Sequence, residues 1–187
     1  MIASRNPALA RADAGGGEQG LRVIGTYPHQ WRVMIGSQVV AIAMTVAGLS
    51  LIASSLRSTN AGIEAALTTG AYAIGATLMF VYLGFHLTAT VRARSAESYE
   101  PRRRRYARLY RAYMVIAYLA FAHVGASFLL HEVVGPGLGW FLVTMGAAGA
   151  VTMIVRRPKI RGLLVSDLPL WIHVIAGVFG AGIVLRS

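Results

Sequence analysis

The sequence predicts an all-α, polytopic integral membrane protein, a bundle of about five transmembrane helices with its N-terminus in the cytoplasm. Composition is the first observation behind this prediction: 56% of the 187 residues are hydrophobic and only 13% are charged, against about 25% charged in soluble domains. The charges are also confined to short blocks. The apolar stretches between these blocks lack the polar face that a soluble helix presents to water.

The apolar stretches themselves are the second observation. An α-helix needs about 20 apolar residues to cross the hydrocarbon core of a bilayer, and the sequence contains five runs of about this length. In chain order the predicted spans are residues 33–54, 67–91, 112–130, 138–155 and 168–185. Residues 31–187 are therefore expected to form a transmembrane helical domain, preceded by a flexible cytoplasmic tail over residues 1–30.

The basic residues indicate the orientation. Sixteen of the 18 Lys and Arg residues precede the first span or lie in the connections after the second and fourth spans, while only Arg57 and Arg186 lie on the other side. Cytoplasmic connections of membrane proteins carry such an excess. The N-terminus is therefore expected inside and the C-terminus outside a bacterial inner membrane. The net charge of +11 is explained by this topology and does not indicate a nucleic-acid partner.

Missing residue types exclude several kinds of site. The chain has no Cys, which removes disulfides and cysteine-ligated metal clusters. No Asp, Glu, Lys or Arg lies within a predicted span, whereas ion-coupled carriers need a buried ionisable group near the membrane midplane. A transporter therefore ranks third among the functions considered, and no combination of nucleophile, base and orienting residue indicates an enzyme.

Histidine is the remaining residue type inside the spans whose side chain can ligate a cofactor. His86 lies six residues before Arg92, and His173 lies six residues after Asp167, so each lies about 9 Å from the inner boundary of its span. Two imidazoles at the same depth, on the second and fifth spans, are what the iron of a b-type haem requires. The pair His86 and His173 is therefore the first candidate for cofactor binding.

His123, on the third span, is the second choice of cofactor ligand. Alone it would suit the magnesium of a chlorophyll or bacteriochlorophyll, which needs one axial ligand. Together with His131, at the outer end of the same span, it would form a second haem site. The structural alternative for every one of these histidines is a hydrogen bond to a neighbouring helix.

A stripe of tyrosines is the second candidate site. Tyr106, Tyr110 and Tyr113 are spaced to share one helix face at the start of the third span, with Arg108 and Arg111 close by. Tyrosines and arginines at a membrane boundary commonly contact anionic lipid head groups. A quinone head group is the alternative ligand.

The five-span plan, with candidate ligands on the second and fifth spans, resembles in outline the cytochrome b anchor subunits of respiratory oxidoreductases. The segment LWIHVIAG, residues 170–177, is similar to haem-bearing helices of several bacterial membrane families. The first functional hypothesis is a membrane subunit of a respiratory or photosynthetic electron-transfer complex, with a b-type haem and access to quinone. The second is a non-catalytic accessory subunit, because faces rich in Gly and Ala favour packing against other membrane subunits.

Overall fold

A computed structural model describes the backbone of residues 17–92 and 96–155 and the side chains of residues 21–88 and 105–155. These residues form five helices and no strand. In chain order the helices are α1 (Gly17–Thr26), α2 (Pro28–Ser55), α3 (Asn60–Arg92), α4 (Ala96–Leu130) and α5 (Pro136–Val155). The prediction of an all-α protein is confirmed for this part of the chain.

Four of these helices, α2 to α5, are long and apolar enough to cross a membrane. Each of them contains one of the first four predicted spans, so the prediction of a multi-pass membrane protein is confirmed at these positions. The fifth predicted span, residues 168–185, lies outside the described residues.

Helix α4 begins well before the span that the sequence predicts. The apolar run starts at residue 112, but the helix starts at Ala96 and includes the arginine-rich stretch between them. Arginine, alanine and leucine all favour helix, and an α-helix satisfies its own backbone hydrogen bonds in water as it does in lipid. The charges therefore indicate where the hydrocarbon ends and not where the helix ends.

The described part of the segment 1–30 is helical. Helix α1 ends at Thr26, and α2 begins at Pro28, whose fixed φ suits the first turn of a helix. Leu21 and Ile24, three residues apart on α1, are buried, so this short helix has one face packed against the protein.

A left-handed residue ends helix α4. Glu132 has a φ of 52°, and the Val133 N–H donates to the Phe128 carbonyl over 3.1 Å, the hydrogen bond of a Schellman motif. The chain then enters α5 at Pro136, again at a position that suits proline. This short connection makes α4 and α5 sequential, antiparallel neighbours.

Two compact units divide the chain. The first comprises residues up to Val40 together with Leu78–Tyr110, and the second comprises Ala41–Thr77 together with the residues from Arg111 onward. The described candidate residues belong to both units: His86, Tyr106, Arg108 and Tyr110 to the first, and Arg111, Tyr113, His123 and His131 to the second.

Candidate functional site

His86 lies in the first unit, among aromatic rings. Its side chain is 2% exposed. The ring centroid of Tyr82 lies 4.3 Å from that of His86, and the centroids of Phe85 and Trp31 lie 5.3 Å and 5.7 Å away. Trp31 comes from α2 and the other three residues from α3. These four residues are here named the His86 cluster, in which Trp31 brings α2 against His86 of α3.

Trp31 connects α2 to α3 within the His86 cluster. Its side chain is fully buried, and its indole Nε1–H donates to the backbone carbonyl of His86 over 2.9 Å. A buried indole N–H needs an acceptor, and a helical carbonyl has a second lone pair with which to accept it. Sequence reasoning missed this role, because the acceptor lies 55 residues away along the chain.

Two tyrosines of the predicted head-group stripe extend this aromatic packing. Tyr106 of α4 stacks on Phe85, with ring centroids 4.4 Å apart and ring planes 12° from parallel. Tyr110 packs against Tyr82 at 5.2 Å. Both tyrosines are half-buried, whereas Arg108 on the same helix is exposed. The tyrosine face of α4 therefore meets α3, and Arg108 is left accessible.

Tyr113, the third residue of that stripe, belongs to the second unit and is 2% exposed. Its hydroxyl lies 3.0 Å from the hydroxyl of Tyr72 on α3, and the two rings meet edge to face with centroids 6.1 Å apart. Hydrogen bonds of this kind join helices in membranes. Arg111, two residues before Tyr113, is half-buried. The structure thus gives Tyr113 a partner within the protein.

His123 lies on α4 in the second unit, and its side chain is exposed. Its Nδ1 lies 2.7 Å from Oγ1 of Thr68 on α3. The same Oγ1 lies 2.9 Å from the backbone carbonyl of Glu64, one turn earlier. Because a carbonyl can only accept, the Thr68 hydroxyl donates its single proton to Glu64, and Nδ1 of His123 is the donor to Thr68. In the neutral imidazole Nε2 is then an acceptor.

His131 follows the last residue of α4 and contacts a different side chain of α3. Its Nε2 lies 3.5 Å from Oε1 of Glu64, a distance at the long limit for a hydrogen bond. His131 is eight residues from His123, which corresponds to about 12 Å along a helix axis. The two imidazoles contact different residues of α3, Thr68 and Glu64.

Glycines bring α4 and α5 into close contact. A Cβ added at Gly146 of α5 would lie 2.6 Å from the backbone N of Ala122 and from the carbonyl O of Tyr118 on α4. A Cβ added at Gly125 of α4 would lie 2.8 Å from the carbonyl O of Gly139 on α5. Distances this short between real atoms are prohibitive, so the two helices approach as closely as small residues allow. The small residues of the fourth predicted span therefore pack within the chain, against α4.

The haem hypothesis also requires His173, which lies outside the described residues. Among residues 17–92 and 96–155, no group of three or more His, Cys, Asp or Glu is placed to hold a metal ion. Comparison of the chain with protein-family models, curated proteins and solved structures gives no match.

Proposed function

We propose that this chain is a non-catalytic accessory subunit, which packs against a larger membrane complex and stabilises it. The observation that supports the proposal is that most of the described candidate residues take part in contacts between helices. Five of them contact a side chain on a neighbouring helix: His86, Tyr106, Tyr110, Tyr113 and His123. Contacts of this kind stabilise helix packing, which is the task of a structural subunit.

The surface of α5 also favours an accessory role. Its glycine face packs against α4, as the contacts of Gly146 show. Large apolar side chains elsewhere on this helix are exposed. The exposed fraction is 60% for Trp140, 57% for Val151 and 62% for Ile154. Within a membrane, such side chains contact lipid or another transmembrane helix. The chain therefore has apolar surface available for partner subunits.

An electron-transfer subunit, with a b-type haem between His86 and His173, is the competing hypothesis. The iron of a haem needs a ring nitrogen that faces the flat macrocycle. Three aromatic rings already lie within 5.7 Å of the His86 ring, measured between centroids. A macrocycle at this position would have to displace part of the His86 cluster. This crowding favours the accessory subunit.

The size of the native particle tests the accessory role. After extraction of native membranes in a mild detergent, sedimentation is expected to place the chain in an assembly much larger than its own 20.0 kDa plus bound detergent. Deleting the chain is expected to lower the amount of that assembly, because its partners lose a packing surface. A chain that sediments as a monomer in the native extract would contradict the proposal.

The same particles test the competing haem hypothesis. A haem with two histidine ligands gives a low-spin band in the reduced-minus-oxidised spectrum, and the accessory role predicts no such band from this chain. His86→Leu and the exposed control His29→Gln identify the source of any band that is seen. A low-spin band that is lost in His86→Leu and kept in His29→Gln would establish the haem and overturn the proposal.

We further propose five spans, with the N-terminus in the cytoplasm, because the excess of Lys and Arg is segregated to one side. The chain has no Cys, so single cysteines can be labelled selectively at Thr26 and Ser58, which are exposed before and after α2. In intact spheroplasts, a membrane-impermeant maleimide is expected to label Ser58→Cys at once and Thr26→Cys only after the membrane is opened. The reverse pattern would refute this orientation.

A further inference from the structure

His123 lies within an exposed stripe of α4 that is otherwise apolar. Leu119 is 52% exposed and Leu130 72%, and Ala126 is exposed as well. The spacing of these residues, four, three and four positions apart, follows one face of a helix. All four lie in the part of α4 that is apolar enough to span a membrane. The stripe therefore presents one imidazole in a hydrocarbon environment.

The hydrogen bond to Thr68 determines which nitrogen of His123 is available. Since Nδ1 donates to Thr68, the lone pair of the neutral ring is on Nε2. Thr68 is 3% exposed, and its hydroxyl donates to the Glu64 carbonyl. Thr68 is therefore a fixed acceptor, which holds the imidazole of His123 in one orientation. A histidine that binds a metal typically donates its other ring N–H in this way, which fixes the tautomer and the ring orientation.

The acceptor at Nε2 needs a partner. Within the described residues, the hydrogen bond of the His123 side chain is the one to Thr68. An acceptor that faces hydrocarbon without a donor or a metal is unfavourable. A metal with a free coordination position, carried by a group whose remaining surface is apolar, would satisfy this acceptor.

We propose that His123 is the single axial ligand of a planar metal tetrapyrrole bound on the exposed face of α4. Such a macrocycle is wide enough to cover the residues about one helical turn, or about 5 Å, on each side of its ligand. Leu119 and Ala126 occupy these positions, and the small side chain of Ala126 allows the macrocycle to approach the imidazole. Magnesium in a chlorin and five-coordinate iron in a haem both accept one imidazole nitrogen.

This site goes beyond the accessory function, because it gives the subunit a cofactor of its own. It uses only residues of the second unit, and it does not involve the His86 cluster or His173. It also predicts a five-coordinate metal, in contrast to the low-spin haem of the competing hypothesis.

Titration of the purified full chain in detergent micelles with zinc protoporphyrin IX tests the site, because zinc in this macrocycle binds one axial ligand. Saturable binding of one porphyrin per chain is expected, with a red shift of the Soret band. His123→Leu is expected to abolish the saturable binding. Because His123 is exposed, this variant is expected to fold, which circular dichroism checks. His29→Leu, at another exposed histidine, is expected to bind like the unmodified chain.

Thr68→Val tests the role of the hydrogen bond to Nδ1. Valine keeps nearly the same volume but removes the hydroxyl, and loss of such a supporting contact typically weakens metal binding about 10- to 100-fold. An unchanged affinity would refute the role of Thr68. Equal binding by His123→Leu and the unmodified chain, or binding that is lost in His29→Leu, would overturn the site itself.

Parallel titrations with ferric protoporphyrin IX and with a zinc chlorin distinguish a haem from a chlorin. The macrocycle that binds more tightly identifies the class of the ligand. Absence of saturable binding for all three probes overturns the proposal. These measurements use the isolated chain, whereas the accessory function is tested by the size of the native particle. A failure of one proposal is therefore distinguishable from a failure of the other.

Discussion

Replacing Trp31 by alanine is expected to lower the free energy of unfolding by about 3–5 kcal/mol, the usual cost of truncating a large buried aromatic side chain. Trp31 is fully buried, packs against His86 and donates a hydrogen bond to the His86 carbonyl. The substitution removes that bond and leaves a cavity between α2 and α3. Unfolding of the purified chain by SDS in mixed micelles, followed by circular dichroism, measures the change.

Trp140 is the matched control, because it is the same residue type at 60% exposure. Trp140→Ala is expected to change the free energy of unfolding by less than about 0.5 kcal/mol. Trp31→Phe separates the two contributions, since it keeps most of the ring volume and loses one hydrogen bond, worth about 1 kcal/mol. Equal losses in Trp31→Ala and Trp140→Ala would show that the His86 cluster does not hold α2 against α3.

Gly146→Ala is expected to lower the free energy of unfolding by about 1–3 kcal/mol, the range for overpacking a close contact. The new Cβ would lie 2.6 Å from backbone atoms of Ala122 and Tyr118. Backbone atoms cannot rotate away as a side chain would, so α4 and α5 must separate. The same SDS titration measures the effect, and a crosslink between the two helices would report the separation.

Gly70→Ala is the control for this substitution, because a Cβ at Gly70 meets nothing within 4 Å. Alanine there is expected to stabilise the helix by about 1 kcal/mol, since glycine is the poorer helix former. The two substitutions are chemically identical and are predicted to have opposite signs. Stabilisation of the chain by both would mean that α4 and α5 are not in close contact.

The membrane-spanning helices could largely be predicted from the sequence. Partition of a segment into hydrocarbon depends on the composition of that segment alone, so residues 33–54 and 138–155 each identified a helix of the structure. The start of α4 could not be predicted in this way. Composition reports where lipid contact begins, whereas a helix continues into water as long as its residues favour it.

The residues of the candidate site could be predicted from the sequence, but their surroundings could not. Sequence reasoning identified His86 and His123 as residues of interest and left open whether each binds a cofactor or packs. The structure buries His86 among aromatic rings and exposes His123. The tyrosines of the predicted stripe contact residues of α3 that lie tens of residues away in the chain.

The sequence by itself determined that this protein is helical and has several segments apolar enough to cross a membrane, because hydrophobicity and helix period are local properties of each segment. Only the tertiary structure decided that His86 is buried beside Trp31 and that His123 is exposed and hydrogen-bonded to Thr68. The physical reason is that these outcomes depend on the rotation of each helix about its axis. That rotation is set by contacts between residues distant in sequence, such as Tyr72 with Tyr113.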